Sequence, residues 1–101
     1  MTDTLKRLAG GTLTTGSVTL YTAPSSTTTI VKELILCNKT AASTTVTISF
    51  NSVNIVFAKT VAANDSLILP LTSILQTTNI IAGLASSSSA IDYYISGIEI
   101  V

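Results

Sequence analysis

The segment Thr44–Asn51 alternates between polar and apolar side chains from Thr45 onward. Val46, Ile48 and Phe50 fall on one side of an extended chain, and threonine, serine and asparagine fall on the other. This repeat of two residues is typical of a β-strand that packs one face on a core and turns the other toward water. Turn-forming clusters recur at short intervals along the rest of the chain, which is the spacing of an all-β sandwich or barrel.

The composition favours the same class of fold. Threonine, isoleucine and valine are abundant, and serine and threonine together make up 31 of the 101 residues. β-Branched side chains fit the pleated, half-buried surface of a sheet. Charged residues make up only 10% of the chain, against about 25% in an ordinary soluble domain. The length fits a single domain.

The distribution of charge and the residue types that are missing exclude several functions. Five basic and five acidic residues cancel, and no basic cluster occurs, so we expect no nucleic-acid partner and no membrane partner. The sequence has no histidine and a single cysteine, Cys37, which removes the usual general base, the commonest metal ligand and any disulfide within the chain. We therefore expect a protein that is not an enzyme, with no catalytic residues, no cofactor and no metal.

Strand and turn patterns predict an all-β fold, an antiparallel two-sheet β-sandwich of seven or eight strands that is jelly-roll-like or Ig-like. The chain is divided into an N-terminal arm at residues 1–16, extended or interchain, and a single β-sandwich domain at residues 17–101. For residues 71–78 the sequence does not distinguish an irregular connection from one helical turn. The predicted strands are Ser17–Thr22, Thr28–Asn38, Thr44–Asn51, Ile55–Val61, Ser66–Leu69, Asn79–Ala85 and Ala90–Val101.

Three of these segments carry more specific expectations. Thr28–Asn38 is apolar on both faces, so it is central in the core or covered by a partner chain. Ile55, Phe57 and Val61 are predicted to share one face of their strand. The apolar residues of the last strand change parity near Ser96-Gly97, which predicts a bulge within residues 95–98.

Few motifs indicate a binding site. Asn38-Lys39-Thr40 and Asn64-Asp65-Ser66 match the glycosylation pattern, but turn chemistry explains them more simply. Cys37 is interpreted as a small buried apolar residue in a strand. The five acidic residues are dispersed, without the spacing of a metal site or of a catalytic pair. The tyrosines Tyr21, Tyr93 and Tyr94 leave two alternatives open, which are a sugar-stacking platform and a half-buried position at a sheet edge or interface.

Several segments between Val18 and Val101 together resemble those of small all-β structural proteins of bacteriophage virions. The matching pattern is a strand ending in proline, a strand with a basic residue, a Cys-Asn turn, a later Asn-Asp turn and an aromatic final strand. The resemblance implies a virion component attached to a head, neck or tail, and it carries no catalytic residues. The segments are Leu20–Pro24, Ile30–Lys32, Leu36–Thr40, Ala63–Ser66 and Tyr94–Glu99.

The resemblance and the composition together set the functional expectation. We expect a capsid decoration (cement) protein that stabilises the head by binding the capsid lattice. The alternative is a neck, tail or fibre component, including one with a host-surface carbohydrate-binding module. Its partners are then the major capsid protein or another virion protein, and its location is the virion after synthesis in the host cytoplasm. The surplus of apolar residues on a neutral chain predicts a homo-oligomer, with a trimer favoured.

Overall fold

The structure is a computed structural model and describes residues 3–101. Eight β-strands connected by short turns account for most of these residues, and no helix among them is long and apolar enough to cross a membrane. The strands are β1 (Asp3–Thr12), β2 (Val18–Thr22), β3 (Thr28–Asn38), β4 (Thr44–Phe50), β5 (Val53–Val61), β6 (Ser66–Leu75), β7 (Ile80–Ala85) and β8 (Ile91–Ile100).

The strands form two four-stranded sheets that pack face to face. One sheet has the order β1-β8-β3-β6 and the other has the order β2-β7-β4-β5, with every neighbouring pair antiparallel. The predicted class, an all-β antiparallel two-sheet sandwich, is confirmed. Of the two connectivities left open, the strand order is that of a jelly roll, in which the chain repeatedly crosses between two four-stranded sheets.

The core lies between the inner faces of the sheets. Strand β4 alternates strictly, with Val46 and Ile48 fully buried and Phe50 nearly so, as the sequence predicts. Strand β3 contributes Val31, Leu34 and Leu36 from the facing sheet. The sandwich is therefore held together mainly by aliphatic side chains that leave water as the two sheets meet.

Turn chemistry explains both Asn-containing motifs. Asn38 is buried, and its amide donates to the carbonyl oxygens of Ala42 and Val61 while its side-chain oxygen accepts from Thr40. Asn64 has a left-handed backbone with φ of 56°, a conformation that asparagine tolerates well. The hairpin between β4 and β5 turns at Asn51 and Ser52, whose φ angles are also positive.

Strand β6 is longer than the sequence predicts. The predicted strand ends before Pro70, but β6 continues to Leu75, which replaces the irregular connection or helical turn expected over residues 71–78. Strand β6 is an edge strand, where a residue without a backbone N–H is tolerated. The pairing with β3 also becomes irregular between Val31 and Glu33, close to the register position of Pro70.

The predicted faces of β5 are wrong. Val56 and Val61 point into the core, whereas Ile55 and Phe57 are exposed. The register with β4 shifts twice along this strand, and Ala58 has a φ of 47°. These irregularities rotate the side chains of β5 out of simple alternation.

The bulge predicted within residues 95–98 of the last strand is wrong, because β8 is regular there and the extra residues lie on the neighbouring strands. Residues 96 and 97 of β8 are consecutive and oppose Glu33 and Val31 of β3, so Lys32 is the extra residue. On the other side, the register with β1 shifts between Arg7 and Ala9. Because β8 itself alternates without interruption, Ile98 points outward, on the face opposite to the buried Ile91 and Ile95.

The segment set apart as an arm has a defined place where the structure describes it. Asp3–Thr12 is strand β1, paired along its length with β8, and Leu13 is fully buried. Because β1 pairs with β8 of the same chain, it is part of the sandwich predicted for residues 17–101. That the segment also contacts another chain stays a prediction. Met1 and Thr2, which begin the predicted arm, lie outside the described residues.

Candidate functional site

The outer face of the sheet β1-β8-β3-β6 is largely apolar. Leu5, Ile98 and Ile30 are register neighbours on adjacent strands, and Ile74 extends the row across β6. A second row contains Tyr94, Ile35 and Ile68. Leu5 is 78% exposed, so this surface faces solvent in the isolated chain. We call it the outer apolar face, defined by Leu5, Ile30, Ile35, Ile68, Ile74, Tyr94 and Ile98.

A polar row separates the two apolar rows. Arg7, Ser96, Glu33 and Pro70 succeed one another across the four strands of the sheet. The guanidinium carbon of Arg7 lies 5.9 Å from the ring centroid of Tyr94, a cation–π distance. Glu33 is half-buried and forms no ion pair within residues 3–101. It is therefore an unpaired carboxylate in the middle of an apolar surface.

A second apolar surface lies where the two sheets have open edges. Strands β5 and β6 are the edge strands of their respective sheets. Between them lies a groove of about 360 Å³, here called the edge groove. Phe57 stands at its side and is 72% exposed. The groove is lined by Ile55, Val56, Phe57, Lys59, Leu67 and Leu69.

A shallow polar pocket of about 330 Å³ lies across β1 and β8. Tyr94 is 47% exposed there, and Tyr93 is half-buried. Gly10 of β1 leaves room in the pocket, because a Cβ there would lie 3.6 Å from the side chains of Arg7 and Tyr94, two of its lining residues. The polar pocket is lined by Arg7, Gly10, Gly11, Thr12, Lys39, Asp92, Tyr93 and Tyr94.

Asp92 provides the negative charge of the polar pocket. Its carboxylate accepts a hydrogen bond of 2.7 Å from the Thr12 hydroxyl and one of 3.0 Å from the Lys39 ammonium. These two hydrogen bonds lower the pKa of Asp92 below its ordinary value. An ionised carboxylate next to an exposed tyrosine ring can accept hydrogen bonds from ligand hydroxyl groups while the ring packs on an apolar ligand face.

Tyr21 is hydrogen-bonded between the two sheets and does not form a surface platform with the other tyrosines. Its hydroxyl donates to Glu99 at 2.5 Å and lies 2.8 Å from the Thr29 hydroxyl. Burial, and secondarily Glu99, raise the pKa of Tyr21 to about 12. The hydrogen bond from Tyr21 in turn lowers the pKa of Glu99, with a smaller contribution from Lys6 at 3.2 Å. This network joins β2 of one sheet to β8 and β3 of the other.

The Tyr21–Glu99 hydrogen bond is expected to make stability depend on pH. A carboxylate whose pKa is lowered by folding stabilises the protein above its unfolded pKa, and that stability is lost as the pH falls through the folded value. Tyr21→Phe should therefore cost about 1.5–3 kcal/mol near neutral pH, the usual value for a hydrogen bond to a charged group. The cost should shrink in acid, as measured by urea unfolding at several pH values.

The matched control is Lys6→Met. This substitution removes the exposed ion-pair partner of Glu99. The Lys6 side chain is 45% accessible, so the substitution should cost only about 0–1 kcal/mol. A cost for Tyr21→Phe that is the same at pH 7 and in acid would contradict the assigned role of Glu99.

The structure places the remaining sequence candidates as follows. Tyr93 and Tyr94 line the polar pocket together, and Tyr21 lies apart from them. Cys37 lies in strand β3, as predicted, but it is half-buried rather than buried, in register with Asp92 and Ser66. Among the side chains of residues 4–101, no group of three or more acidic or cysteine residues could hold a metal ion. The edge groove could not be predicted from the sequence, because its lining comes from two strands that are not paired with each other.

The geometry thus defines an eight-stranded jelly-roll sandwich with two separate apolar surfaces and one polar pocket. No protein-family model matches the sequence, and no curated protein matches it. Among solved structures, the fold is similar to that of the Drosophila NLP core, with a TM-score of 0.57 and 20% identity over 95% of this chain and 100% of that one. That structure is reported to give insight into pentamer formation and histone binding. At this identity the likeness establishes the fold alone.

Proposed function

We propose that this chain is a non-enzymatic structural protein of a bacteriophage virion, and specifically a capsid decoration protein that stabilises the head by binding the capsid lattice. The observation that carries the proposal is the outer apolar face, on a chain whose net charge is zero. Exposed apolar patches of this kind mark surfaces that another protein covers. The resemblance of Leu20–Pro24 and the later segments to virion proteins supports the proposal that this chain is part of a virion.

The same observation supports a homo-oligomer. The structure of the Drosophila NLP core is reported to give insight into pentamer formation, so oligomers occur on this type of sandwich. A trimer, which would suit the three-fold positions of a capsid, stays a prediction from the sequence. Histone binding is not carried over, because the five carboxylates of this chain are dispersed and balanced by five basic residues.

Capsids that lack the protein provide the test of decoration. Purified protein should bind them to saturation at a copy number near that of the major capsid protein, and should raise the temperature at which they release DNA. Ile68→Lys, which places a charge on the outer apolar face, should weaken this binding. Thr19→Lys on exposed β2 of the other sheet is the control. Absence of binding to capsids by folded wild-type protein would contradict decoration.

The polar pocket favours a second candidate, a neck, tail or fibre component that binds host-surface carbohydrate. The supporting observation is the exposed ring of Tyr94 beside the ionised carboxylate of Asp92. Stacking on an aromatic ring together with hydrogen bonds to a carboxylate would suit the apolar face and hydroxyl groups of a sugar.

Substitution of Tyr94 tests carbohydrate binding. A glycan array should first identify a ligand for the wild-type protein, and Tyr94→Ala should then weaken its binding about tenfold, equivalent to about 1.4 kcal/mol. Thr22→Ala, at an exposed position of β2, is the control and should leave binding unchanged. Equal binding by Tyr94→Ala and wild-type protein would exclude the polar pocket as the sugar site.

A further inference from the structure

The polar pocket holds one positive charge that no carboxylate balances. The charged residues among those lining the pocket are Arg7, Lys39 and Asp92. Lys39 pairs with Asp92 at 3.0 Å, so these two charges cancel. Arg7 forms no ion pair among the side chains of residues 4–101. The pocket therefore carries a net positive charge, which is located at its Arg7 end.

The carboxylate of Glu33 lies too far across the sheet to balance Arg7. Both residues belong to the polar row, but strand β8 runs between them. Two strand spacings amount to about 10 Å, and the Arg7 side chain extends along β1 to Gly10 and over the ring of Tyr94. Lys32 is the neighbour of Glu33 in sequence and supplies a positive charge close to that carboxylate. Arg7 therefore presents its charge to the polar pocket.

The absence of a side chain at Gly10 gives a ligand access to both Arg7 and Tyr94. A Cβ at this position would lie 3.6 Å from the Cδ of Arg7 and 3.6 Å from a ring carbon of Tyr94. With Arg7 in place, Tyr94 is still 47% exposed, so the cation leaves much of this residue accessible. A ligand above Gly10 meets a guanidinium group and an aromatic ring together.

The other end of the polar pocket carries a negative charge. Asp92 accepts hydrogen bonds from Thr12 and Lys39, and its ionised carboxylate has capacity to accept more from hydroxyl groups. The same carboxylate repels an anionic group placed beside it. Asp92 and Tyr94 lie on the same face of β8, two residues and about 6–7 Å apart. The pocket therefore orients a ligand that has hydroxyl groups at one end and an anionic group at the other.

We propose that the polar pocket binds an acidic sugar, whose carboxylate pairs with Arg7 and whose hydroxyl groups donate to Asp92. The planar fork of guanidinium N–H groups matches the two oxygens of a carboxylate, while the Tyr94 ring packs on the apolar face of the sugar. Uronic acids and sialic acids belong to this class. The inference rests on the second candidate function, a neck, tail or fibre component, in which the capsid lattice does not cover Tyr94.

Matched pairs of saccharides test the inference. The pairs are methyl glucuronide with methyl glucoside, methyl galacturonide with methyl galactoside, and sialyllactose with lactose. Titration of the whole chain, followed by NMR at low ionic strength, gives a dissociation constant for each sugar. In at least one pair the acidic member should bind about tenfold tighter than the neutral member, because hydrogen bonds between charged groups are about twice as strong as neutral ones.

Arg7→Gln should remove the preference for the acidic member and change the affinity for the neutral member by less than about twofold, a small fraction of the tenfold preference. Lys32→Gln is the matched control, because it removes the same charge from an exposed residue of the same sheet that does not line the pocket. This control should keep the preference. Circular dichroism verifies that both variants are folded.

Ionic strength provides a second measurement that needs no variant. Raising the salt concentration from about 0.01 M to about 1 M shortens the Debye length from about 30 Å to about 3 Å. Arg7 is exposed, so its pair with a ligand carboxylate is screened. The acidic member should lose most of its advantage in high salt, whereas the affinity for the neutral member should change little.

The outcomes separate the failure of this inference from the failure of the candidate function. Acidic members that bind no tighter than neutral ones in all three pairs overturn the inference, and carbohydrate binding stands on the neutral sugars. Equal weakening of both members by Arg7→Gln or by salt likewise overturns the pairing with Arg7 alone. A wild-type chain that binds no glycan on the array overturns carbohydrate binding and this inference together.

Discussion

Gly97→Ala is expected to lower the free energy of unfolding by about 3 kcal/mol, the upper part of the usual range for overpacking a core. Gly97 is buried in the middle of β8, and a Cβ there would overlap the carbonyl oxygen of Ile30 on the neighbouring strand. That oxygen belongs to the backbone of β3, which β6 holds on its other side. The strand cannot move aside without disturbing the sheet, so the strain falls on the native state. Chemical denaturation would measure the loss.

Gly16→Ala is the matched control for this substitution. Gly16 lies between β1 and β2, nothing is within 4 Å of the position of an added Cβ, and its φ is not positive. Alanine there should be neutral or stabilising by about 0.4–1 kcal/mol, because it restricts the unfolded chain. Similar, small effects at both glycines would show that β8 does not approach β3 as closely as described.

Phe50→Ala is expected to cost about 3–5 kcal/mol, the usual loss for truncating a buried aromatic side chain. Phe50 is 6% exposed at the end of β4 and belongs to the core between the sheets. Its removal leaves a cavity that the surrounding aliphatic side chains can fill only in part. Urea unfolding followed by circular dichroism would measure the loss.

Thr47→Ala, on the opposite face of β4, is the comparison for Phe50→Ala. The hydroxyl oxygen of Thr47 accepts a hydrogen bond of 3.0 Å from the backbone N–H of Ala58, where β5 is irregular. Its loss should cost about 1 kcal/mol, clearly less than the core truncation. If the two substitutions had equal effects, the assignment of the faces of β4 would be wrong.

The parts of the fold that depend on local pattern could be predicted from the sequence. The alternation in Thr44–Asn51 and the turn residues around it place β4 and its hairpin, and the bounds of β3 agree with the predicted Thr28–Asn38. Each of these features follows from the residues of one segment, because a strand with one buried face must alternate with a period of two.

The parts that depend on neighbouring strands could not be predicted in this way. Exposure of Ile55 and Phe57 results from register shifts between β5 and β4. The outward position of Ile98 results from the uninterrupted alternation of β8, whose partners β1 and β3 carry the extra residues. The parity change at residues 95–98 predicts a bulge in β8, and only the pairing shows that β8 is regular there. Continuation of β6 past Pro70 likewise depends on its place at the edge of the sheet.

Among the candidate surfaces too, those that follow from the pattern of one segment could be predicted, and the one formed by separate strands could not. The two-sided apolar pattern of Thr28–Asn38 predicts an apolar surface outside the core, and the structure places Ile30 and Ile35 on the outer apolar face. Tyr93 and Tyr94 could be recognised as a pair. The edge groove could not be foreseen, since β5 and β6 lie in different sheets and meet only in the folded sandwich.

The position of β8 has a consequence for biosynthesis. Strand β1 pairs with β8 alone, and β8 also separates β1 from β3. The ribosome releases residues 3–12 long before residues 91–100, so the earliest strand has no partner until the latest one emerges. This sheet must therefore be completed after most of the chain has been translated, and long-range pairing of this kind slows folding. During that interval the nascent chain exposes apolar strands to other chains, and its yield in a host cell should depend on chaperones.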